Sequence, residues 1–483
     1  MGRLNFKHLA LLLAAGAGVF YLLTLRQGQG WMDDYAQYVL HARNLAEGRP
    51  YADTGYILNP AYQTAGPVTY PPVFPLLLAP VYKLAGPNLQ AMKALTVFCF
   101  AGFLYVLWLL FRQGLGEKRA LLIAALVGLS PVFWKFKDYL YAEYPFLLFS
   151  FGALYVYGRA RSAEDSGRGW LPRALAAGLL AYLAYGTRSA GLVLLPAFFI
   201  ADLVERKKIS KTFMACCLPA LGLAAAQWLT LHSDAVYAGQ ARELFSGVSL
   251  LASVGGNLLG YAERFTLLFE NGFVPLLPAL LLAVTAALGA AGFARRAGRE
   301  PLLAAYAVLN ILLLLLFPAA DGLRYAFPLV PFLFYFAAAG WEEYSSKFGR
   351  AARYISPALL LAAGLSYAGA YFGAQYGALR EGTEKAETKQ LFEFVRSAVP
   401  PEAVVICRKP RTLSLFAGRR ASMYHFGPDA ELLAYFKATG ADYLIAGSVF
   451  PEDRAFLFPF LARNEARFLR IYANADFSVY SIK

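Results

Sequence analysis

The sequence predicts a polytopic α-helical membrane protein of about eleven spans that carries a small extracytoplasmic α/β domain at its C-terminal end. Three observations predict it. Hydrophobic residues make up 58% of the 483 residues and charged residues only 16%, against roughly 25% charged in an ordinary soluble domain. Long apolar runs recur over the first 373 residues and stop there. Lys and Arg collect in alternate loops between those runs, as they do on the cytoplasmic side of membrane proteins.

The first run, about 9–25, follows Arg3 and Lys7. It is long for the apolar core of a signal peptide, and no small-x-small cleavage site follows it before Trp31. It reads as a retained span with its N-terminus in the cytoplasm. Further spans fall at about 91–111, 120–134, 144–158, 174–187, 190–203, 212–231, 273–293, 301–317, 326–340 and 354–373. The basic loops carry Arg112, Lys118 and Arg119; Arg159, Arg161, Arg168 and Arg173; Arg206, Lys207, Lys208 and Lys211; Arg295, Arg296 and Arg299; Lys347, Arg350 and Arg353. Their alternation requires 174–203 to cross twice, turning near Gly186 and Thr187, and the Pro-rich stretch 71–87 not to cross. The same loops account for the net charge of +14, so the charge does not call for a nucleic acid partner. The C-terminus then lies outside.

Two outside segments are long. The first loop, 26–90, contains an amphipathic helix over 34–47 with Tyr35, Val39, Ala42 and Ala46 on one face and Gly48 as its stop. The tail, 374–483, turns polar at Leu379. There the pattern gives helices at 384–398 and 431–439, strands at 403–407 and 443–446, and a closing hairpin at 468–472 and 477–482. The chain thus divides into a transmembrane domain, 1–373, and an α/β domain, 374–483. Cys99, Cys216 and Cys217 lie in apolar runs and only Cys407 in a polar region, and the four histidines are scattered, which gives neither a disulfide framework nor a metal site. Phosphate-loop, zinc-protease and nucleophile-elbow motifs do not occur in a supporting context.

An ionisable residue at membrane depth costs about 2.5–3.5 kcal/mol on insertion scales, and such residues are functional candidates by default. Four groups stand out. Asp33 and Asp34 follow the first span at a helix N-terminus, where a carboxylate serves either as a cap or as a general base. Glu143, before Tyr144-Pro145, starts the fourth span at the same depth. Arg188 sits at the tip of the double crossing, where it either snorkels or binds a phosphate with its two-pronged guanidinium. Arg324 lies outside in Leu323-Arg324-Tyr325-Ala326-Phe327-Pro328, with Asp321 as a nearby partner. Two acidic groups and two arginines on the outer face suit a reaction between a lipid-linked phosphate and a nucleophile that needs a base.

The ordered set Asp33-Asp34, His41 to Tyr51, Tyr70-Pro71-Pro72 with Pro75, Ala142-Glu143-Tyr144-Pro145, Thr187-Arg188-Ser189 and Arg324-Tyr325 with Pro328 and Pro331 resembles the GT-C superfamily of glycosyltransferases. Within it, the set resembles the protein O-mannosyltransferase and lipid A aminoarabinose transferase branch. The resemblance spans roughly residues 1–340. It implies an inverting transfer of a sugar from a polyprenyl-phosphate-linked donor to an acceptor lipid, protein or glycan at the outer face, with the protein in the bacterial inner membrane. It puts the general base on Asp33, with Asp34 as the fallback, and the second acid on Glu143. It gives the carrier phosphate to Arg188, Arg324 and Tyr325, and a donor and acceptor cavity to Tyr70, Lys137 and Tyr141. No cofactor is implied, and metal dependence stays open across the superfamily. The sequence departs at Tyr70, where the aminoarabinose transferases have a phosphate-binding lysine, and at Asp34, where many members have Glu. A flippase of lipid-linked sugars, an O-antigen-type polymerase or ligase, and a non-catalytic assembly partner are the alternative readings.

Overall fold

The computed structural model describes residues 5–62, 66–231, 250–317 and 322–483; Asp321 lies outside the described residues. Every apolar run named above is helical. The bundle is built from α1 (Phe6–Leu23), α2 (Asp34–Glu47), α3 (Val73–Ala85), α4 (Leu89–Leu115), α5 (Glu117–Gly128), α6 (Pro131–Phe136), α7 (Glu143–Asp165), α8 (Trp170–Thr187), α9 (Leu194–Arg206), α10 (Lys211–Leu231), α11 (Leu250–Phe265), α12 (Leu277–Arg296), α13 (Pro301–Leu316), α14 (Val330–Tyr344) and α15 (Ala352–Phe372). Among the described residues, α1, α4, α10, α12 and the continuous stretch Leu323–Phe372 are each long and apolar enough to cross a membrane alone. That stretch breaks at Gly349, whose φ of 52° suits a residue without a Cβ. The remaining apolar runs are shorter or interrupted. The 120–134 run bends between α5 and α6 at Pro131, and the double crossing turns through a short 3-10 segment, Ser189–Val193, after Arg188.

Helix α3 covers the Pro-rich stretch with 13 residues, a rise of about 20 Å against about 30 Å of hydrocarbon. Helix α11 carries no counterpart among the predicted spans. The basic loops are tied together at one end of the bundle by ion pairs: Arg119 and Arg296 both reach Glu342, at 3.0 and 2.8 Å. Arg161 meets Glu205 at 2.7 Å, and Arg206 meets Asp165 at 2.7 Å. Glu143 and Asp165 are the two ends of the 23-residue α7, about 33 Å apart by helix rise. The end bearing Glu143 is therefore the far end from the basic loops.

The tail contains the predicted helices, strands and hairpin and adds to them: α16 (Ala386–Ala398), β2 (Val404–Ile406), α17 (Pro410–Ala417), β3 (Arg420–Ser422), α18 (Asp429–Thr439), β4 (Ala441–Gly447), α19 (Phe458–Arg463), β5 (Phe468–Ala473) and β6 (Phe477–Ile482). Of these, the pattern did not mark α17, β3 and α19. The six-stranded sheet has the order β1-β3-β2-β4-β6-β5, where β1 is Tyr56–Ile57 from the first loop. Strands β1, β3, β2 and β4 run parallel, and β6 and β5 close the other edge antiparallel. One face buries Leu391, Val395, Val405 and Val479, and the other buries Ile406, Leu432, Leu444 and Phe460. The first loop seals the seam to the bundle. Trp31 packs edge-on against Phe450 and Phe477, and the Leu379 and Thr383 amides donate to the Gln27 and Gln29 carbonyls.

In the bundle, α12 and α14 approach through glycines. A Cβ on Gly292 would stand 2.0 Å from the Phe336 carbonyl oxygen, and one on Gly340 would stand 2.1 Å from that of Leu288. Small residues permit such crossings in membrane proteins. Because the clash is with backbone, no rotamer relieves it. Gly292→Ala is expected to cost about 1–3 kcal/mol, read as a lower midpoint of thermal unfolding in detergent. Gly364→Ala, on α15 with open space around it, is expected to be neutral or slightly stabilising.

Candidate functional site

The turn between α1 and α2 places two adjacent carboxylates in opposite directions. Asp33 faces the tail domain. Its Oδ1 accepts from the Thr412 amide at 2.9 Å and the Thr412 hydroxyl at 2.8 Å, and its Oδ2 accepts from the Arg411 amide at 3.2 Å. These amides begin α17, so Asp33 caps a helix that lies more than 370 residues away in sequence. Asp34 faces the bundle. Its Oδ2 takes Arg324 Nη2 at 3.1 Å, and its Oδ1 accepts from the Tyr70 hydroxyl at 2.8 Å.

Arg324 joins the two acids. Besides Asp34, its Nε stands 3.9 Å from Glu143 Oε1, which also accepts from Arg188 Nη1. The guanidiniums are framed by aromatic faces: Arg188 lies 4.9 Å from the Tyr325 ring, and Arg324 lies 4.7 Å from the Tyr141 ring and 4.9 Å from that of Tyr325. Glu143 and Tyr141 are nearly fully buried, yet among the described residues Glu143 Oε2 and the Tyr141 hydroxyl have no hydrogen-bond partner. Asp34 is the most open of the four charged groups, with 30% of its side chain exposed. Burial by itself would raise the Asp34 carboxyl. Arg324 and Arg411, followed by the Tyr70 hydrogen bond, outweigh it and hold that carboxyl below its ordinary value.

Asp34, Glu143, Arg188, Arg324, Tyr325, Tyr70 and Tyr141 thus meet in one cluster at the end of the bundle beneath the tail domain. Two of the expected residues go elsewhere. Asp33 spends both oxygens on α17. Lys137 is fully buried with its ammonium 3.0 Å from Asp138 and 4.0 Å from the centre of the Trp134 ring. An adjacent acid and an indole face give that lysine its counter-charge, which keeps it out of the ion-pair network. His41 is also committed to structure. Burial lowers its pKa to about 3, Nδ1 meets the Tyr51 carbonyl at 2.8 Å, and Nε2 accepts from the Tyr70 amide at 3.2 Å.

One residue of the cluster went unread in the sequence. Arg411, at the second position of α17, donates from Nη1 to the Tyr70 hydroxyl at 2.7 Å and stands 3.5 Å from Asp34 Oδ1. Its guanidinium lies over the rings of Tyr56 and Tyr70 at 4.5 and 5.0 Å. No periodicity marks it, since an arginine in a polar domain is ordinary. Each acid of the cluster faces a guanidinium, and among the described residues no three His, Cys, Asp or Glu side chains come together.

A family model for dolichyl-phosphate-mannose-protein mannosyltransferases matches residues 69–229, a third of the chain. No curated protein matches the sequence. The fold is that of the GT-C glycosyltransferases. ArnT from Cupriavidus metallidurans, bound to undecaprenyl phosphate, aligns at a TM-score of 0.59 and 12% identity over 98% of both chains. The Archaeoglobus fulgidus oligosaccharyltransferase in complex with Zn and sulfate aligns at 0.62 and 14% over 92% of this chain and 68% of that one. AglB from the same organism, in complex with an inhibitory peptide and a dolichol-phosphate, aligns at 0.61 and 14% over 92% and 69%.

Breaking one partner of a buried ion pair costs about 3–5 kcal/mol because the other charge is left uncompensated. Glu143→Gln is therefore expected to lower thermal stability in detergent by that order. Adding Arg188→Gln should recover part of the loss, and a double-mutant cycle measures the coupling.

Proposed function

We propose that the chain is a membrane glycosyltransferase that moves a sugar from a polyprenyl-phosphate-linked donor to an acceptor hydroxyl, with inversion, and that Asp34 is its general base. The observation that carries the reading is the cluster itself: two acids and two arginines from distant parts of the chain, gathered at the end of an apolar bundle away from the basic loops. The GT-C fold and the lipid phosphates bound in ArnT and AglB support the same reading. With the basic loops in the cytoplasm, the cluster lies at the outer leaflet and the tail domain outside.

The acceptor oxygen attacks the anomeric carbon, the bond from that carbon to the phosphate oxygen breaks, and the acceptor proton passes to Asp34. Arg188 and Arg324 take the negative charge that develops on the departing lipid phosphate. Glu143 Oε2 and the Tyr141 hydroxyl, which have no hydrogen-bond partner among the described residues, bind sugar hydroxyls. Asp34 is preferred to Asp33 on geometry: Asp34 contacts Arg324, whereas both oxygens of Asp33 are bound to α17.

A carboxylate held low by arginines is ionised at neutral pH but is a weak base. A donor phosphate that draws Arg324 toward itself weakens that hold, so Asp34 gains basicity as the substrate arrives. The sign follows: the base acts when deprotonated, so activity is lost as pH falls through its pKa. The acid limb of kcat/KM, which reports the free enzyme, should lie below the ordinary carboxylate range, and that of kcat should lie higher. Asp34→Asn should lower transfer from a radiolabelled polyprenyl-phosphate sugar by about 10²–10⁴-fold at unchanged protein yield. Full turnover in that variant would overturn the reading.

A further inference from the structure

We infer that Arg411 of the tail domain is a positioning residue for Asp34, so that the outer domain completes the catalytic site rather than merely covering it. The inference rests on the reading of Asp34 as the base.

In open α/β sheets the ligand sits outside the carboxyl ends of the parallel strands, where the strand order reverses. Here the chain runs from β2 outward to β3 and then back across to β4, so the reversal falls at β2. The segment leaving the carboxyl end of β2 leads into α17 at Pro410. The groups that fill this position come from the protein itself. Asp33 binds the first amides of α17, and the Arg411 side chain extends between the first loop and the cluster. Only 5% of that side chain is exposed, and its Nη2 donates to the Pro67 carbonyl at 3.3 Å. Arg411 therefore has little freedom to turn away from its partners.

The consequence for Asp34 is a second, independent hold. Four elements present charged or titratable groups to this carboxylate. The α2 helix supplies Tyr38, the first loop supplies Tyr70, α17 supplies Arg411, and the bundle supplies Arg324 with Tyr141 and Glu143 behind it. Arg324 is shared with Glu143 and is the cation that a donor phosphate would attract. Arg411 is tied to Tyr70 and to the first-loop backbone. When Arg324 shifts, the chain from Arg411 through the Tyr70 hydroxyl to Asp34 Oδ1 still fixes one oxygen, which leaves the other to face the acceptor.

Arg411→Ala removes this chain but keeps the backbone amides that Asp33 caps, so the domain stays docked. In the purified full-length protein with a polyprenyl-phosphate sugar, the variant is expected to lose about tenfold or more in kcat. KM for the donor should stay within about twofold, and the acid limb of kcat/KM should move to higher pH. Arg411→Lys should restore most of kcat and return the limb. Thermal unfolding in detergent supplies a readout independent of turnover: the effect of Arg411→Ala should shrink in an Asp34→Asn background. An unmoved acid limb with wild-type kcat would overturn the inference. So would a loss that lysine does not rescue and that is the same size with and without Asp34. If Asp34→Asn itself turns over normally, it is the assignment of the base that fails.

Discussion

Arg324 is held between two carboxylates, Asp34 and Glu143, that arrive from different helices. The rest of the site depends on this arrangement. A guanidinium 11% exposed at the end of an apolar bundle is tolerated because its charge is met twice, and each acid is tolerated because a guanidinium meets it. Under the proposed function, an incoming donor phosphate competes with the carboxylates for two guanidiniums already gathered at one spot. Aromatic faces of Tyr141 and Tyr325 frame their planes, and the Tyr325 hydroxyl also accepts from Arg324 Nη2 at 3.0 Å.

The pair Asp33-Asp34 shows how neighbouring residues of one chemical type take different work. At the start of α2 successive side chains diverge, so one carboxylate meets the tail domain and the other meets the bundle. Asp33 supplies a helix cap across a domain seam. Asp34 supplies a charge to the cluster, opposite Arg324. The seam between domains and the chemistry of the site are thus separated by a single peptide bond, and any shift of the tail domain is felt at Asp34 through both Asp33 and Arg411.

Most of the cluster was legible because charge in an apolar run is expensive and therefore rare. Asp34, Glu143, Arg188 and Arg324 each stood out on that ground, and they converge. The tail elements were legible from period alone, as at Ala386–Ala398 and in the hairpin of Phe468–Ala473 with Phe477–Ile482. What could not be read shares one physical character: it depends on partners remote in sequence. Choosing between Asp33 and Asp34 requires knowing that the amides of Arg411 and Thr412 lie beside the first. A two-residue strand at Tyr56–Ile57 carries no periodic signal, and only its pairing with β3 makes it a strand. Lys137 looked available because the sequence does not reveal that Asp138 folds back onto it.

The strand borrowed from the first loop has a consequence for biogenesis. Its partner β3 is made some 365 residues later, as in the bond from the Ser422 hydroxyl to the Ile57 carbonyl. During translation the edge of the early loop stays unpaired and its capping acid lacks its helix until that later segment is made. The outer sheet and the Asp33 cap are therefore incomplete until the last part of the chain has been made.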